Sequence, residues 1–422
     1  MNPFAYQNGR LHVESVPLES LAASYGTPVY VYSRKAIIDA WEAFSRASAG
    51  HDVLVCFALK ANSNLAIVDL LARAGAGFDI VSAGELRRVI AAGGQPARTV
   101  FSGVGKSALE MREALLAGVR CFNVESESEL ERLNQVAGQL GRRAPVSLRV
   151  NPDVDAGTHP YISTGLRENK FGIAHEDALS AYRRAAALPH LEVVGIDCHI
   201  GSQITSLDPF LAALDKVLEL VDALHVAGIE LKHIDLGGGL GIRYRDENPP
   251  APQALLGAVF ERMHRHPRGS QYELMFEFGR AIVGNAGALL TRVEYLKRNA
   301  ERRFAVVDCA MNDLMRPALY EAWHEVLAVS PRAGPSERYD LVGPVCESGD
   351  WLARDRSLAL AEGDLLALMS AGAYGMSMSS NYNTRPRAPE VLVDGDRHWL
   401  IRERESVESL YRLERRLPPE AF

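Results

Sequence analysis

The sequence lacks the features that mark a nucleic-acid binder, a disulfide-held secreted domain, a zinc protein or a membrane protein. With 46 Lys and Arg against 53 Asp and Glu, its net charge is −7 and no basic run occurs. Binding to phosphate backbones or anionic membrane surfaces needs a concentration of positive charge that is missing here. Five cysteines, Cys56, Cys121, Cys198, Cys309 and Cys346, make an odd number with no Cys-x-x-Cys pair. They offer neither a disulfide framework nor the ligand spacing of a zinc site, so no metal is expected, and they fit a reducing cytoplasm. No apolar run reaches bilayer-spanning length, and Met1-Asn2-Pro3-Phe4-Ala5-Tyr6 lacks the basic start and apolar core of a signal peptide. Internal repeats, low-complexity tracts and charge blocks are also absent. A cytoplasmic protein acting on small molecules is the expectation that remains.

What the sequence does have is a chain too long for one ordinary core, 422 residues at 47% apolar and 23% charged, which points to two domains. Its focus is Val53-Leu54-Val55-Cys56-Phe57-Ala58-Leu59-Lys60-Ala61-Asn62. Seven apolar residues rich in valine read as a strand buried on both faces, and the run ends in an amine. Lys60 either marks the exit of that strand into water or is a partly desolvated amine able to form a Schiff base with a carbonyl.

From Val53 onward strands are expected at 53–59, 78–82, 99–103, 121–126, 146–151, 194–200, 233–237 and 273–277. Helical periodicity lies between most of them, as in Leu211, Leu214, Leu218, Val221 and Leu224. Eight such units predict a (β/α)8 TIM barrel, with an open doubly wound sheet as the alternative. Polar or glycine residues close nearly every strand: Lys60, Asp79 with Ser82, Gly103, Glu125, Arg149 with Asn151, His199, Gly237-Gly238-Gly239, and Glu277-Phe278-Gly279-Arg280. A barrel whose loops share one pocket at its C-terminal face has this requirement.

Beyond Val283 the pattern turns to strands, at 289–296, 303–308, 339–345 and 364–369, with a hairpin at 391–400 turning at Asp394-Gly395. The expected organisation is a barrel over 34–282 and a mainly β (barrel or sandwich) domain formed by 283–422, which also takes the strands of residues 1–33.

The glycines after the seventh strand let backbone N–H groups approach an anion, although three glycines also serve as a plain tight turn. Their position beside the loop after the eighth strand matches the recurring phosphate site of such barrels. Ser102-Gly103-Val104-Gly105-Lys106-Ser107 superficially resembles the end of a Walker A loop, but Val100 stands where that loop needs a glycine, and a turn with a helix start is expected instead. A Schiff-base lysine and a phosphate cradle in one barrel together suggest pyridoxal 5'-phosphate, with Glu277 as a carboxylate for the ring nitrogen. Read by itself, Glu277 is more often a structural ion pair and His199 a satisfied core histidine.

Taken together, Phe57-Ala58-Leu59-Lys60-Ala61-Asn62, His199-Ile200-Gly201-Ser202-Gln203, Gly237-Gly238-Gly239, Asn312 to Tyr320, Cys346-Glu347-Ser348-Gly349-Asp350 and Ala373-Tyr374-Gly375 carry a resemblance spanning nearly the whole chain. The sequence resembles the fold type III pyridoxal-phosphate-dependent decarboxylases, which pair an alanine-racemase-like barrel with a β domain. Within that family it is most similar to the members that convert meso-2,6-diaminopimelate to L-lysine and carbon dioxide, the last step of lysine biosynthesis. The resemblance implies that Lys60 holds the cofactor, that His199 stacks on its ring, and that Glu277 faces the pyridine nitrogen. It further implies that Ser202, Gly238, Gly239, Gly279, Arg280 and Tyr374 hold the phosphate or its surroundings. Arg280, Arg316, Tyr320, Glu347 and Tyr374 would bind substrate. Cys346, as the acid that protonates the product carbon, would enter with Glu347 from the other subunit of a homodimer with shared active sites. A racemase or decarboxylase acting on ornithine, arginine or lysine, or a non-catalytic homologue, is the alternative. One departure stands out: the family's usual Glu-Pro-Gly-Arg reads Glu277-Phe278-Gly279-Arg280 here, so a residue with a free φ and an N–H replaces proline.

Overall fold

The structure, a computed structural model, describes residues 3–155, 157, 164–165 and 169–419. The chain divides into two compact units, one of residues 37–284 and one of residues 1–36 with 285–422.

In the first unit the alternating pattern produces a closed parallel barrel among the described residues. Its strands are β1 (Val53–Ala58), β2 (Gly77–Ile80), β3 (Thr99–Phe101), β4 (Cys121–Val124), β5 (Ala144–Asn151), β6 (Leu191–Asp197), β7 (His233–Asp235) and β8 (Glu273–Phe278). Each pairs with the next, and β8 returns to β1 with Glu277 opposite Cys56 and Phe278 opposite Phe57. The outer helices are α1 (Leu65–Arg73), α2 (Ala83–Ala91), α3 (Ala108–Ala117), α4 (Glu127–Gln139), α5 (His175–Ala187), α6 (Asp208–Val226) and α7 (Pro252–Arg265). The expected barrel is therefore present, and all eight expected strands occur. Several end one to three residues earlier than the sequence suggested, because the polar residues that close them belong to the loops.

The barrel interior changes character along its axis. Leu54, Cys56, Val100, Cys121, Val194 and Met275 form a buried apolar cluster. Asp79, Ser102, Asn123, Asp197, Asp235 and Glu277, nearer the carboxyl ends of their strands, are buried polar groups. Strand alternation does the sorting: side chains two apart share a face, so Glu277 points oppositely to Phe276 and Phe278. Those two rings stack on one another at 5.4 Å, and Phe278, 1% exposed, also stacks at 4.2 Å on Phe44 of the helix Arg34–Ala47. Phe278, in the position of the family's usual proline, therefore fills the layer between barrel and helix.

The segment from Ser102 to Ser107 is a turn and a helix start, as expected. Ser107 accepts from Glu110 N–H while the Glu110 carboxylate accepts from Ser107 N–H, a capping box that opens α3. Lys106 is buried and donates to the carbonyls of Gly103 and Asn123, at 2.7 and 2.6 Å, and to Glu129 at 2.7 Å. It pins the ends of β3 and β4 together.

The second unit is mainly β. Its sheet runs through Trp351–Leu358, Glu337–Val342, Arg303–Val307, Gly287–Arg298, Val29–Ser33, Glu390–Asp394 and Arg397–Arg402, with Leu365–Leu368 and Val326–Ala328 branching from it. The N-terminal strand Val29–Ser33 lies between Gly287–Arg298 and Glu390–Asp394, as expected. The hairpin forms, but Asp394 pairs with Arg397, so the turn residues are Gly395 and Asp396 and the positive φ of 64° falls on Gly395.

Replacing Phe278 with alanine removes a buried ring from the helix–barrel layer and should destabilise the protein by about 3–5 kcal/mol. Unfolding in denaturant checks this, and a midpoint equal to that of the wild type would contradict the packing role.

Candidate active site

Lys60 sits in a single 3-10 turn, Leu59–Ala61, immediately after β1. Its Nζ donates to Asp79 Oδ2 at 3.0 Å, with Asp79 wholly buried and the lysine one-third exposed. The neighbouring strand thus supplies the counter-ion for the amine. Asp79 was read in the sequence only as a strand end.

Glu277 is 3% exposed, and its Oε1 accepts from Ser102 Oγ and Asn123 Nδ2, each at 3.2 Å. Burial pushes its carboxyl well above the ordinary range. Asp79, Asp235 and Asp197 add to that rise, while Lys60 opposes it. Asp235, on β7, accepts from Gly237 N–H at 2.9 Å, and burial pushes it up to about 7.

His199 follows β6 by two residues. Its Nδ1 accepts from Gly238 N–H at 3.1 Å, which places the ring proton on Nε2. Burial first, then Lys60 and Arg149, hold the imidazole neutral, well below its ordinary pKa. Its carbonyl is fixed by Thr164 Oγ1 at 2.9 Å and Arg149 Nη2 at 3.4 Å.

The glycine loop is pressed against this assembly. A Cβ on Gly238 would collide with the carbonyl of Glu277, and one on Gly239, whose φ is 103°, with the carbonyl of Gly201. Gln203 ties the two loops, donating to Ile242 O at 2.6 Å and accepting from Ile242 N–H at 3.1 Å. Arg280, buried just beyond β8, donates to Ser202 Oγ at 2.8 Å and to Tyr244 Oη at 2.7 Å. Gly279 lies against Ala58 and Ala61, so it brings this loop close to the lysine turn. Lys60, His199, Ser202, Gly238, Gly239, Glu277, Gly279 and Arg280 are thus gathered at the carboxyl ends of the barrel strands.

The remaining candidates lie in the second unit. Arg316 is 5% exposed. His324 Nδ1 donates to Met369 O at 2.8 Å, which leaves its Nε2 to accept from Arg316 Nη1 at 2.9 Å. His324 therefore orients the guanidinium, a role that no sequence motif announced. Tyr320 ends the short helix Arg316–Tyr320, and Tyr374 is held at a φ of 55°. Cys346 and Glu347 are exposed on the single chain. Asp350 shapes their loop, accepting from Val345 N–H at 2.7 Å and Met311 N–H at 2.6 Å.

An amine with a buried counter-ion, a buried carboxyl ringed by hydrogen-bond donors, and loops in which side chains would collide define a barrel enzyme built around an aldehyde cofactor with an anionic tail. Residues 34–284 match the family described as pyridoxal-dependent decarboxylase, pyridoxal binding domain. The chain is 62% identical to the diaminopimelate decarboxylase of Pseudomonas aeruginosa, over 99% of this chain and 100% of that one. It is 57% identical to that of Vibrio cholerae, over 99% and 100%. Among solved structures, diaminopimelate decarboxylase from M. jannaschii in complex with L-lysine superposes at a TM-score of 0.94 with 38% identity, covering 100% of this chain and 99% of that one. The chain belongs to the pyridoxal-dependent decarboxylase family. The residues present fit pyridoxal phosphate: Lys60 is an amine able to bond an aldehyde, Glu277 is a buried carboxyl suited to a ring nitrogen, and Arg280 is a buried cation beside the glycine loops suited to an anionic tail.

His199 should remain the neutral Nε2–H tautomer at pH 6. Histidine nitrogen NMR, with the signal assigned by its loss in His199→Gln, checks this. A resonance titrating near the ordinary histidine pKa would contradict the burial argument.

Proposed function

We propose that this protein removes one carboxylate of meso-2,6-diaminopimelate as carbon dioxide and releases L-lysine, the closing step of lysine biosynthesis. The observation that carries this reading is the full-length likeness to named diaminopimelate decarboxylases, and the barrel site contributes the chemistry. When bound, pyridoxal phosphate supplies the electron sink that accepts the electron pair left by the departing carboxylate.

The chain's own residues do the rest. Lys60 would hold the cofactor aldehyde, and Asp79 would keep the amine in place whenever it is released from the aldehyde. Glu277 would face the ring nitrogen and His199 the ring. Ser202, Gly238, Gly239, Gly279, Arg280 and Tyr374 would hold the phosphate or its surroundings. His199 suits a place beside a ring because it is neutral and fixed at both its Nδ1 and its carbonyl.

At the far end of the substrate an ammonium and a carboxylate need partners of opposite charge. Arg316, oriented by His324, is assigned to that carboxylate, and Glu347 to the ammonium, with Arg280, Tyr320 and Tyr374 completing the substrate site. A substrate without the distal carboxylate forgoes that charge-assisted pairing, at a cost of about 2–5 kcal/mol. Cys346 is assigned as the acid that delivers the proton to the reacting carbon. Its exposure beside Glu347 on the single chain supports entry into the pocket of a partner subunit, so the active species in this reading is a homodimer with shared sites. The β unit would complete the site and the dimer interface. No helix among the described residues is long and apolar enough to cross a membrane, and the cysteine usage supports a cytoplasmic location.

Incubation with meso-diaminopimelate should give L-lysine and carbon dioxide, while ornithine, arginine and lysine should give no amine. Turnover of one of these and not of diaminopimelate would transfer the assignment to a sister decarboxylase. Borohydride reduction of the cofactor-supplied protein should tag a peptide containing Lys60, a tag that Lys60→Ala abolishes. Cys346→Ala should lower turnover by about 10²–10⁴-fold with little change in KM. Arg316→Ala should lower kcat/KM by roughly 30-fold or more, and wild-type kinetics in either variant would remove that residue from its role.

A further inference from the structure

Four carboxyl groups are buried in the last turns of β2, β6, β7 and β8: Asp79, Asp197, Asp235 and Glu277. Asp197, Asp235 and Glu277 each place one carboxylate oxygen within 4.8 Å of the others. Asp197 Oδ1 and Asp235 Oδ2 have no hydrogen-bond partner among the described residues, although the two side chains are only 1% and 0% exposed. Two cations face the group: Lys60 beyond β1, paired with Asp79, and Arg149 on β5, paired at 3.2 Å with Glu125 beyond β4. The other titratable neighbours are Glu85 of α2, which faces Asp79 and Lys60 and is pushed up to about 7 by burial, and the phenol of Tyr182, the thiols of Cys56, Cys121 and Cys198 and the imidazoles of His199 and His233, all six kept uncharged by burial. Asp79, Glu125, Asp197, Asp235 and Glu277 are all buried and face two cations, so ionising every one of them would leave uncompensated negative charge in a low-dielectric interior. A carboxylate oxygen that has only another carboxyl group nearby is satisfied when one of the two carries a proton.

We propose that Asp235 is a positioning residue that shares a proton with Glu277, with Asp197 as the third member of the group. Glu277 can then be ionised toward the cofactor ring without leaving two charged carboxylates facing each other. This rests on the assignment of Glu277 to the ring nitrogen. Burial pushes Asp235 up to about 7 and Glu277 upward as well, in keeping with a proton retained at neutral pH. A raised carboxyl pKa means that the folded protein binds more protons than the unfolded chain above the ordinary aspartate range. Stability from this group is therefore lost as pH rises toward and through about 7.

Infrared spectra of the cofactor-free wild type at pH 7 should contain a protonated-carboxyl stretch that weakens or shifts in Asp235→Asn. The absence of that band overturns the proposal and leaves the assigned activity intact, because no cofactor or substrate is involved. Cofactor titration supplies the second readout. Asp235→Ala should bind pyridoxal phosphate about tenfold more weakly at pH 7. Asp235→Asn, which keeps a neutral donor, should bind within a few-fold of wild type and lose the wild type's decline in affinity above pH 7. Equal losses in both variants would mark Asp235 as structural only and overturn the proposal. If neither variant folds, the wild-type band and its change in Asp197→Asn decide the question.

Discussion

The pairing of β8 with β1, which sets Glu277 opposite Cys56, is the constraint from which the site follows. Parallel strands all leave a barrel at the same end, so closing the ring brings residues more than two hundred positions apart onto one rim. Lys60 and Glu277 then belong to adjacent strands, Asp79 stands on the other side of the lysine, and the glycine loop after β7 abuts the carbonyl of Glu277. None of these groups could be placed by a local turn. The closure brings an amine and a carboxyl group from opposite ends of a domain onto one rim, above the buried apolar cluster of the barrel axis.

Much of this was legible in the sequence, and the reasons are physical. Strands buried on both faces are short unbroken apolar runs, and the residue that ends each run is conspicuous because it is polar. That is why Lys60, Glu125, His199 and the Gly237 to Gly239 run could be picked out. The strand ends expected from the sequence overrun the observed ones for the same reason, since a polar residue beyond the last ladder bond looks like part of the run it terminates. The family motifs then supplied roles that periodicity cannot: nothing about an exposed cysteine at position 346 distinguishes an acid from an inert thiol.

The groups that were not legible are those that work on other groups. Asp197 and Asp235 stand inside apolar runs, where alternation alone does not say that both carboxyls turn toward Glu277. Ser102 and Asn123 acquire meaning only once β3 and β4 deliver them to Glu277 Oε1. His324 follows Trp323 in a segment without periodicity, and its hold on Arg316 depends on the carbonyl of Met369. Phe278 shows the opposite case. As a departure from a family pattern it reads only as a residue with a free φ and an N–H in place of proline, but its ring stacks on Phe44 and closes the layer outside the barrel.

A single carboxyl group facing the ring nitrogen would meet the electronic requirement, so the company that Glu277 keeps needs a reason. Two unit charges at 4.8 Å, the outer bound on the separations within this group, repel by about 3–4 kcal/mol at an effective dielectric constant of 20, and any shorter separation makes this larger. An isolated buried glutamic acid would hold its proton firmly and be ionised only by the full strength of its partner. A neighbour able to carry the proton changes that balance, because ionising Glu277 then moves a charge within a hydrogen-bonded group and does not create one in an apolar interior. The backbone donor from Gly237 on Asp235, and the Ser102 and Asn123 donors on Glu277, divide the stabilisation between the two carboxyls. The loop that would cradle the phosphate through Gly238 and Gly239 also holds Asp235 through the Gly237 N–H, so under the proposed assignment the hold on one end of the cofactor would be tied to the protonation state at the other.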